Sequence, residues 1–386
     1  MRRVIVLSLL ALLLLGAVPG IKPLPKVPNS LKKELVGYLK SHWLAPDDYV
    51  ISKFKDHDIV FIGEYHRIRH DPLFIQGLIP RLYAAGVHNL GIEFGCHEYQ
   101  DTVDQMLAAP TYDESLARWL QFKQFVAWGY VEYEDLYRKA WELNHSLPPD
   151  APKFRVVGLN YRTRWNLDTN DTPTERRRVF FKGDVDSHMA RVILDEFVKK
   201  GQKALIYSGS HHGFTLYRQP IYDQKTGKFY RFADPRMGNI VHDSIPDRTF
   251  YIVLHYPWGL YEDMDHETYP VGGVIDAIMR EFKTQPVGFD VVGSPFGALP
   301  DTVSYYAAFH RNFKLSDFCD GYIFQQPFSE SEGCTIDTLF VTDANFREAV
   351  SFFANPAMRE HLVKPSDFLD AIRQDSDIRR RFTPLE

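Results

Sequence analysis

Two glycine-led motifs carry the residue types needed for acid–base or metal chemistry: Gly63-Glu64-Tyr65-His66 and Gly209-Ser210-His211-His212. Each follows a short apolar run, and a third run, Asn89-Leu90-Gly91-Ile92, ends at Glu93. Two histidines with a carboxylate are a common ligand set for a hydrolytic metal, which lowers the pKa of a bound water. The same groups can activate a water directly, with the carboxylate orienting the imidazole. A histidine that serves as axial ligand to haem needs only an apolar pocket. His66, Glu93, His212 and Glu64 are therefore the candidate catalytic residues. His66, Glu93 and His212 are also the candidate ligands if a metal is used. A divalent metal, a haem and no cofactor at all stay open as alternatives.

The apolar runs must position these groups. Residues 58–62, 89–92, 153–159, 203–207 and 248–254 read as strands, separated by amphipathic stretches, which is the pattern of an α/β sheet. The third run ends at Asn160 with Arg162 beyond it, and the fifth at His255. Ligands bind beyond the carboxyl ends of parallel strands. The strand ends thus gather Glu64, His66, Glu93, His211 and His212 at one edge, with His211, Asn160, Arg162 and His255 as candidate cofactor-binding walls. A satisfied core histidine is the competing reading for His255, and helix capping for Glu64 and His66. The connecting helices are expected over 73–85, with Asp71 as N-cap, then over 98–109, 112–128, 132–144 and 174–200. A β-hairpin is expected across Tyr222 to Phe229, turning at Thr226-Gly227 and lying over the cleft.

Bulk properties exclude some partners. Hydrophobic residues make up 45% and charged residues 25%, an ordinary globular balance. A net charge of -5 gives no concentrated basic surface for nucleic acid. Arg2 and Arg3, the apolar run Val4 to Val18 and Pro19-Gly20 read as a signal peptide over 1–20, so the protein is expected to be exported, periplasmic or secreted. That run is short for a membrane span, and no stable transmembrane anchor is expected. The rest divides into a leader and helix over 21–50, an α/β domain over 51–260 and an α+β extension over 261–386. In an oxidising compartment the nearby pair Cys319 and Cys334 is expected to bridge, leaving Cys96 free.

The order and spacing of these motifs resemble a known superfamily. Ile62-Gly63-Glu64-Tyr65-His66, Leu90-Gly91-Ile92-Glu93-Phe94, and Asp186-Ser187-His188-Met189-Ala190 followed by Ala204 to His212 are similar to the Tiki, TraB, ChaN-like and erythromycin esterase group. The likeness spans residues 56–256, and Glu64 in the first motif is closest in style to the ChaN-like and esterase branches. The resemblance implies metal-binding or water-activating roles for His66 and His212, Glu93 as partner carboxylate, Glu64 alongside, and Asp186 in support. No cysteine follows the N-terminal apolar run, a departure from lipid-anchored ChaN-like proteins. The expected fold is α/β, with a mostly parallel central sheet, helices on both faces and a C-terminal α+β extension. The expected function is an exported hydrolase acting on an ester or amide bond of a small-molecule or peptide substrate. A haem- or small-ligand-binding protein without turnover and a non-catalytic partner-binding protein are the alternatives.

Overall fold

The run Ile59–Glu64 is buried along its whole length, so it needs apolar cover on both faces and hydrogen-bonded neighbours on both edges. In a computed structural model describing residues 22–169, 172–261, 263, 266–382 and 385, it has both. The expected signal peptide over 1–20 lies outside the described residues. In chain order the strands are β1 (Ile59–Glu64), β2 (Asn89–Cys96), β3 (Arg155–Asn160), β4 (Ala204–Gly209), β5 (Pro220–Tyr222), β6 (Phe229–Phe232), β7 (Thr249–Leu254), β8 (Trp258–Gly259), β9 (Glu267–Thr268), β10 (Val287–Asp290) and β11 (Gly321–Phe324). Seven of them form one sheet in the order β10-β11-β7-β1-β4-β2-β3. All neighbours in it run parallel except β10 against β11. The fold is the expected α/β sheet, and residues 287–290 and 321–324 extend it at the β7 edge.

Alternation along β1 divides the core. Ile59 and Phe61 face a layer that includes Leu35, Met189, Met237 and Ile278. Val60 and Ile62 face another that includes Ile75, Leu82, Met106 and Leu136. Each layer comes from helices, so the sheet is covered on both sides. Among the described residues no helix is long and apolar enough to cross a membrane.

Two local expectations change. The first connecting helix runs His70–Ala84, which puts Asp71 in its first turn, fully buried, instead of at a cap. The long helical stretch is interrupted. Pro173–Val179 ends, Gly183 turns with φ +89°, and Val185–Ile193 restarts with the Asp184 carboxylate accepting from Ser187 N. A cap residue behind a left-handed glycine is a helix start, and it brings Asp186 to the strand ends.

The expected disulfide does not form. Cys96, Cys319 and Cys334 are all buried free thiols. Cys319 packs in the first core layer and Cys334 in the second, so the sheet lies between them. Closeness in sequence misleads here because β11 intervenes and carries the chain from one face to the other.

Candidate active site

The ends of β1, β2 and β4 lie side by side because the three strands are adjacent and parallel. Glu64, the last residue of β1, is 1% exposed. Its carboxylate accepts hydrogen bonds from Tyr133 Oη at 2.7 Å, from Tyr207 Oη, and from His66 Nδ1 at 2.8 Å. A carboxylate only accepts, so the His66 proton on that side sits on Nδ1. The lone pair is then on Nε2, which receives no hydrogen bond from any described residue. This is the arrangement in which a carboxylate fixes the tautomer of a general base.

Gly209 decides how close the His66 ring can sit. A Cβ at this position would lie 2.5 Å from His66 Cε1, 2.7 Å from Nε2 and 3.4 Å from Glu93 Oε2. The end of β4 therefore packs against the imidazole only because residue 209 lacks a side chain. Gly63 has the matching role on β1, where a Cβ would meet Tyr251 Oη at 2.6 Å and Ser210 Cα at 2.8 Å. It lets the single helical turn Ser210–Gly213, which carries His211 and His212, sit against β1.

Glu93 is aimed by an irregularity. The pairing of β2 with β3 slips between Ile92 and Cys96, and Glu93 is the half-buried residue in an otherwise buried strand. Its carboxylate accepts from Gly209 N at 2.7 Å and lies 3.3 Å from His212 Nε2. The other nitrogen of His212, Nδ1, is 2.6 Å from Asp186 Oδ1. Asp186 also accepts from Met237 N at 2.9 Å and Arg236 Nη1 at 3.1 Å. Burial disfavours charge on this histidine, but the two carboxylates outweigh it and raise the His212 pKa to about 10. His212 is accordingly an imidazolium at neutral pH. Burial acts against ionisation of Glu93 and Asp186 too, and His212 nonetheless holds both below their ordinary range.

The two histidines thus differ in their partners: one nitrogen of His66 meets a carboxylate, whereas His212 lies between two. That bears on the metal-ligand expectation for His66, Glu93 and His212. His212 Nδ1 is engaged by Asp186 at 2.6 Å, and its Nε2 faces Glu93 Oε1 at 3.3 Å. Among the described residues no three His, Cys, Asp or Glu side chains are placed to hold an ion. The residues present do not fit a two-histidine metal centre. They do offer one unengaged imidazole nitrogen, His66 Nε2, of the kind an axial haem ligand requires.

The other expected walls separate into two groups. His211 lines the cleft, and its Nε2 meets Tyr305 Oη at 2.6 Å and Tyr306 Oη at 2.9 Å. Burial, with Arg236, His212 and His66 nearby, pushes its pKa down to about 3, so it is neutral. Asn160 also lines the cleft. Arg162 is not on the cleft wall; it pairs with Glu348 at 2.5 Å and covers the Phe352 ring. His255 is 2% exposed, bonded to Tyr322 Oη and Asp276, and stacked on Phe328. It is a core histidine, the competing reading.

Sequence reasoning passed over Tyr133, Tyr207, Arg67, Tyr305 and Tyr306. Tyr207 was legible in principle as a polar tip within a strand leading to the second motif. Arg67 follows His66 with φ +74°, a conformation costly for a side-chain-bearing residue. It is held there by Tyr133 Oη on its backbone N–H, by Tyr130 Oη on its Nε, and by Cys334 N on its carbonyl.

No family model matches the chain, and no curated protein matches its sequence. Solved structures do. A protein described as a succinoglycan biosynthesis protein shares 9% identity over 81% of this chain and 100% of its own, with a TM-score of 0.54. The likeness is one of fold. A Bacillus cereus protein matches 81% of this chain and 100% of its own at 11% identity, TM-score 0.47. ChaN of Campylobacter jejuni, described as binding heme cofacially, matches 57% of this chain and 90% of its own at 15% identity, TM-score 0.35. These last two likenesses carry no argument about activity.

Proposed function

We propose that the protein is a hydrolase of ester or amide bonds that works by acid–base chemistry at the Glu64–His66 pair. One observation carries the reading: a buried carboxylate fixes the proton of His66 on Nδ1, leaving Nε2 directed at a cleft that also contains an imidazolium. His66 Nε2 takes a proton from water as the water attacks the carbonyl carbon. His212, charged and tethered by Glu93 and Asp186, stabilises the negative oxygen that develops. The proton then passes from His66 to the leaving oxygen or nitrogen. No step requires a metal. The motif resemblance to the esterase branch supports this reading, and export to the periplasm or outside the cell is part of the proposal.

Haem binding is the second reading, favoured by the same free nitrogen and by the Trp128 and Phe94 rings set edge-on to His66 at 4.9 and 5.7 Å. His66 would be the ligand to the haem iron, and bound haem would supply ligand binding, not turnover.

The experiment separates the two. Purified protein is assayed on a panel of aryl and alkyl esters and peptides, and in parallel titrated with haemin. Hydrolysis lost in His66→Ala, with no Soret shift, supports the hydrolase. A Soret shift lost in His66→Ala, with no turnover of any substrate, overturns it in favour of haem binding.

A further inference from the structure

His66 stands on a boundary between two cavities of different chemistry. One, of about 430 Å³, is walled by Tyr65, Tyr256, Tyr305, Gln219 and Glu267. The other, of about 640 Å³, is walled by Phe94, Phe125, Trp128, Trp165 and Phe180. His66, Arg67 and His212 border both. Each volume falls within the ordinary range for a small-molecule site, roughly 300–1,000 Å³.

The linings are built, not incidental. In the larger cavity Phe94 and Trp128 stack with centroids 5.1 Å apart and planes 8° apart, and Trp165 meets Phe180 edge to face at 5.4 Å. Trp165 and Phe180 belong to the segment that crosses the end of β3 before the restarted helix, so the break in that helix supplies this wall. The rings form a flat face at one side of a lining that also holds Arg67, Glu93, Asp184, Asp186, His212 and Arg236, and that face suits an aromatic or ring-shaped group. In the smaller cavity the walls end in hydroxyls and an amide. Glu267 receives Tyr65 Oη at 3.0 Å on one oxygen, and its second oxygen is buried with no hydrogen-bond partner among the described residues. Arg381 Nη2 lies 3.5 Å from the bonded oxygen, and burial, opposed by Lys22, raises the Glu267 pKa to about 8. His211 is neutral. Such a wall offers hydroxyl, amide and carboxyl partners to the hydroxyl groups of a ligand, with Arg67 and Arg381 beside them.

Resting on the hydrolase reading, we propose that the cleft takes a two-part substrate, with a flat apolar group in the Trp128–Trp165 cavity and a hydroxyl-bearing group in the Tyr305–Glu267 cavity. The scissile ester or amide lies between them, over His66 Nε2. The substrate class is therefore an ester or amide joining an aromatic or ring-shaped apolar moiety to a polyhydroxylated one.

The test compares kcat/KM for ethyl acetate, ethyl benzoate, glyceryl monoacetate and glyceryl monobenzoate, with phenyl glycerate carrying the two groups in the opposite order. The enzymes are the full chain and its Trp165→Ala and Gln219→Ala variants, neither residue taking part in the proton transfers. Glyceryl monobenzoate or phenyl glycerate should exceed ethyl acetate by roughly 10- to 200-fold for each matched part. Trp165→Ala should abolish the preference for the aromatic part and keep that for the hydroxylated part; Gln219→Ala should do the reverse. Equal effects of either variant on all five esters overturn the proposal. Calorimetric titration with 2-naphthol reads the aromatic cavity without turnover. If naphthol binds the full chain, is lost in Trp165→Ala, and no ester is hydrolysed, the hydrolase reading fails while the aromatic cavity stands. If the full chain hydrolyses esters but neither discriminates among them nor binds naphthol, the two-part cleft fails and the hydrolase reading stands.

Discussion

Replacing Gly209 by alanine strikes the base without touching its chemistry. The backbone there has φ -53° and ψ 140°, which alanine adopts freely, so the substitution adds a methyl group and no backbone strain. That methyl would lie 2.5 Å from His66 Cε1, whereas ordinary contact begins near 3.4 Å, so the ring must retreat by about 0.9 Å. Its other side is closed by Trp128 at 4.9 Å and by the hydrogen bond to Glu64, so the retreat loosens that bond. Overpacking of this kind costs about 1–3 kcal/mol of stability. A displacement of roughly 1 Å at a reacting group costs on the order of 10²-fold in rate. Gly209→Ala should therefore fold, melt several degrees lower and lose about two orders of magnitude in kcat on whichever ester the wild type hydrolyses best. Thermal melts and steady-state rates check this. A variant with wild-type kcat would refute the placement of His66 against β4.

Other consequences follow from the same geometry. Tyr133→Phe and Tyr207→Phe each remove a donor from the buried Glu64 carboxylate, and each should cost about 1–3 kcal/mol in urea unfolding. The His212 group makes a pH-dependent contribution. Its folded pKa is raised, so its stabilisation is complete below the unfolded value near 6.5 and is lost as pH rises through about 10. The depressed Glu93 and Asp186 act in the opposite sense, their contribution being present above about 4–4.5 and lost in acid. His212→Gln should then destabilise by about 1.5–3 kcal/mol near pH 6, with a penalty that shrinks above pH 10, as read from melts across pH. Because the three thiols are free and buried, reductant should leave the melting temperature unchanged, and all three should alkylate only after unfolding; a mass consistent with one disulfide would contradict the core assignment.

The parallel part of the sheet is legible in the sequence because β1, β2, β3, β4 and β7 are near-continuous apolar runs, each closed by a polar residue. The strand-end rule then gathers Glu64, His66, Glu93 and His212 at one sheet edge from the sequence alone. It misplaces His255, because a strand end at the β11 side of the sheet is covered by Phe324, Phe328 and the helix carrying Asp276. Strands β10 and β11 have only four residues each, too short for a period to show. The partners of the site residues are not legible either. Asp186, which bonds His212, and Tyr133, which bonds Glu64, reach the site from helices 93 residues apart in number from Glu93 and 69 from Glu64 respectively. The disulfide expectation failed for a related reason: sequence separation says nothing about which face of a sheet a residue occupies.

The central claim is that Glu64 makes His66 a base. Glu64→Gln tests it most directly, since it keeps the shape of the side chain and removes its charge and its acceptor-only character. kcat/KM on the best ester of the panel should fall by about 10²–10⁴, with the fold intact by circular dichroism. Wild-type turnover in Glu64→Gln would contradict the account.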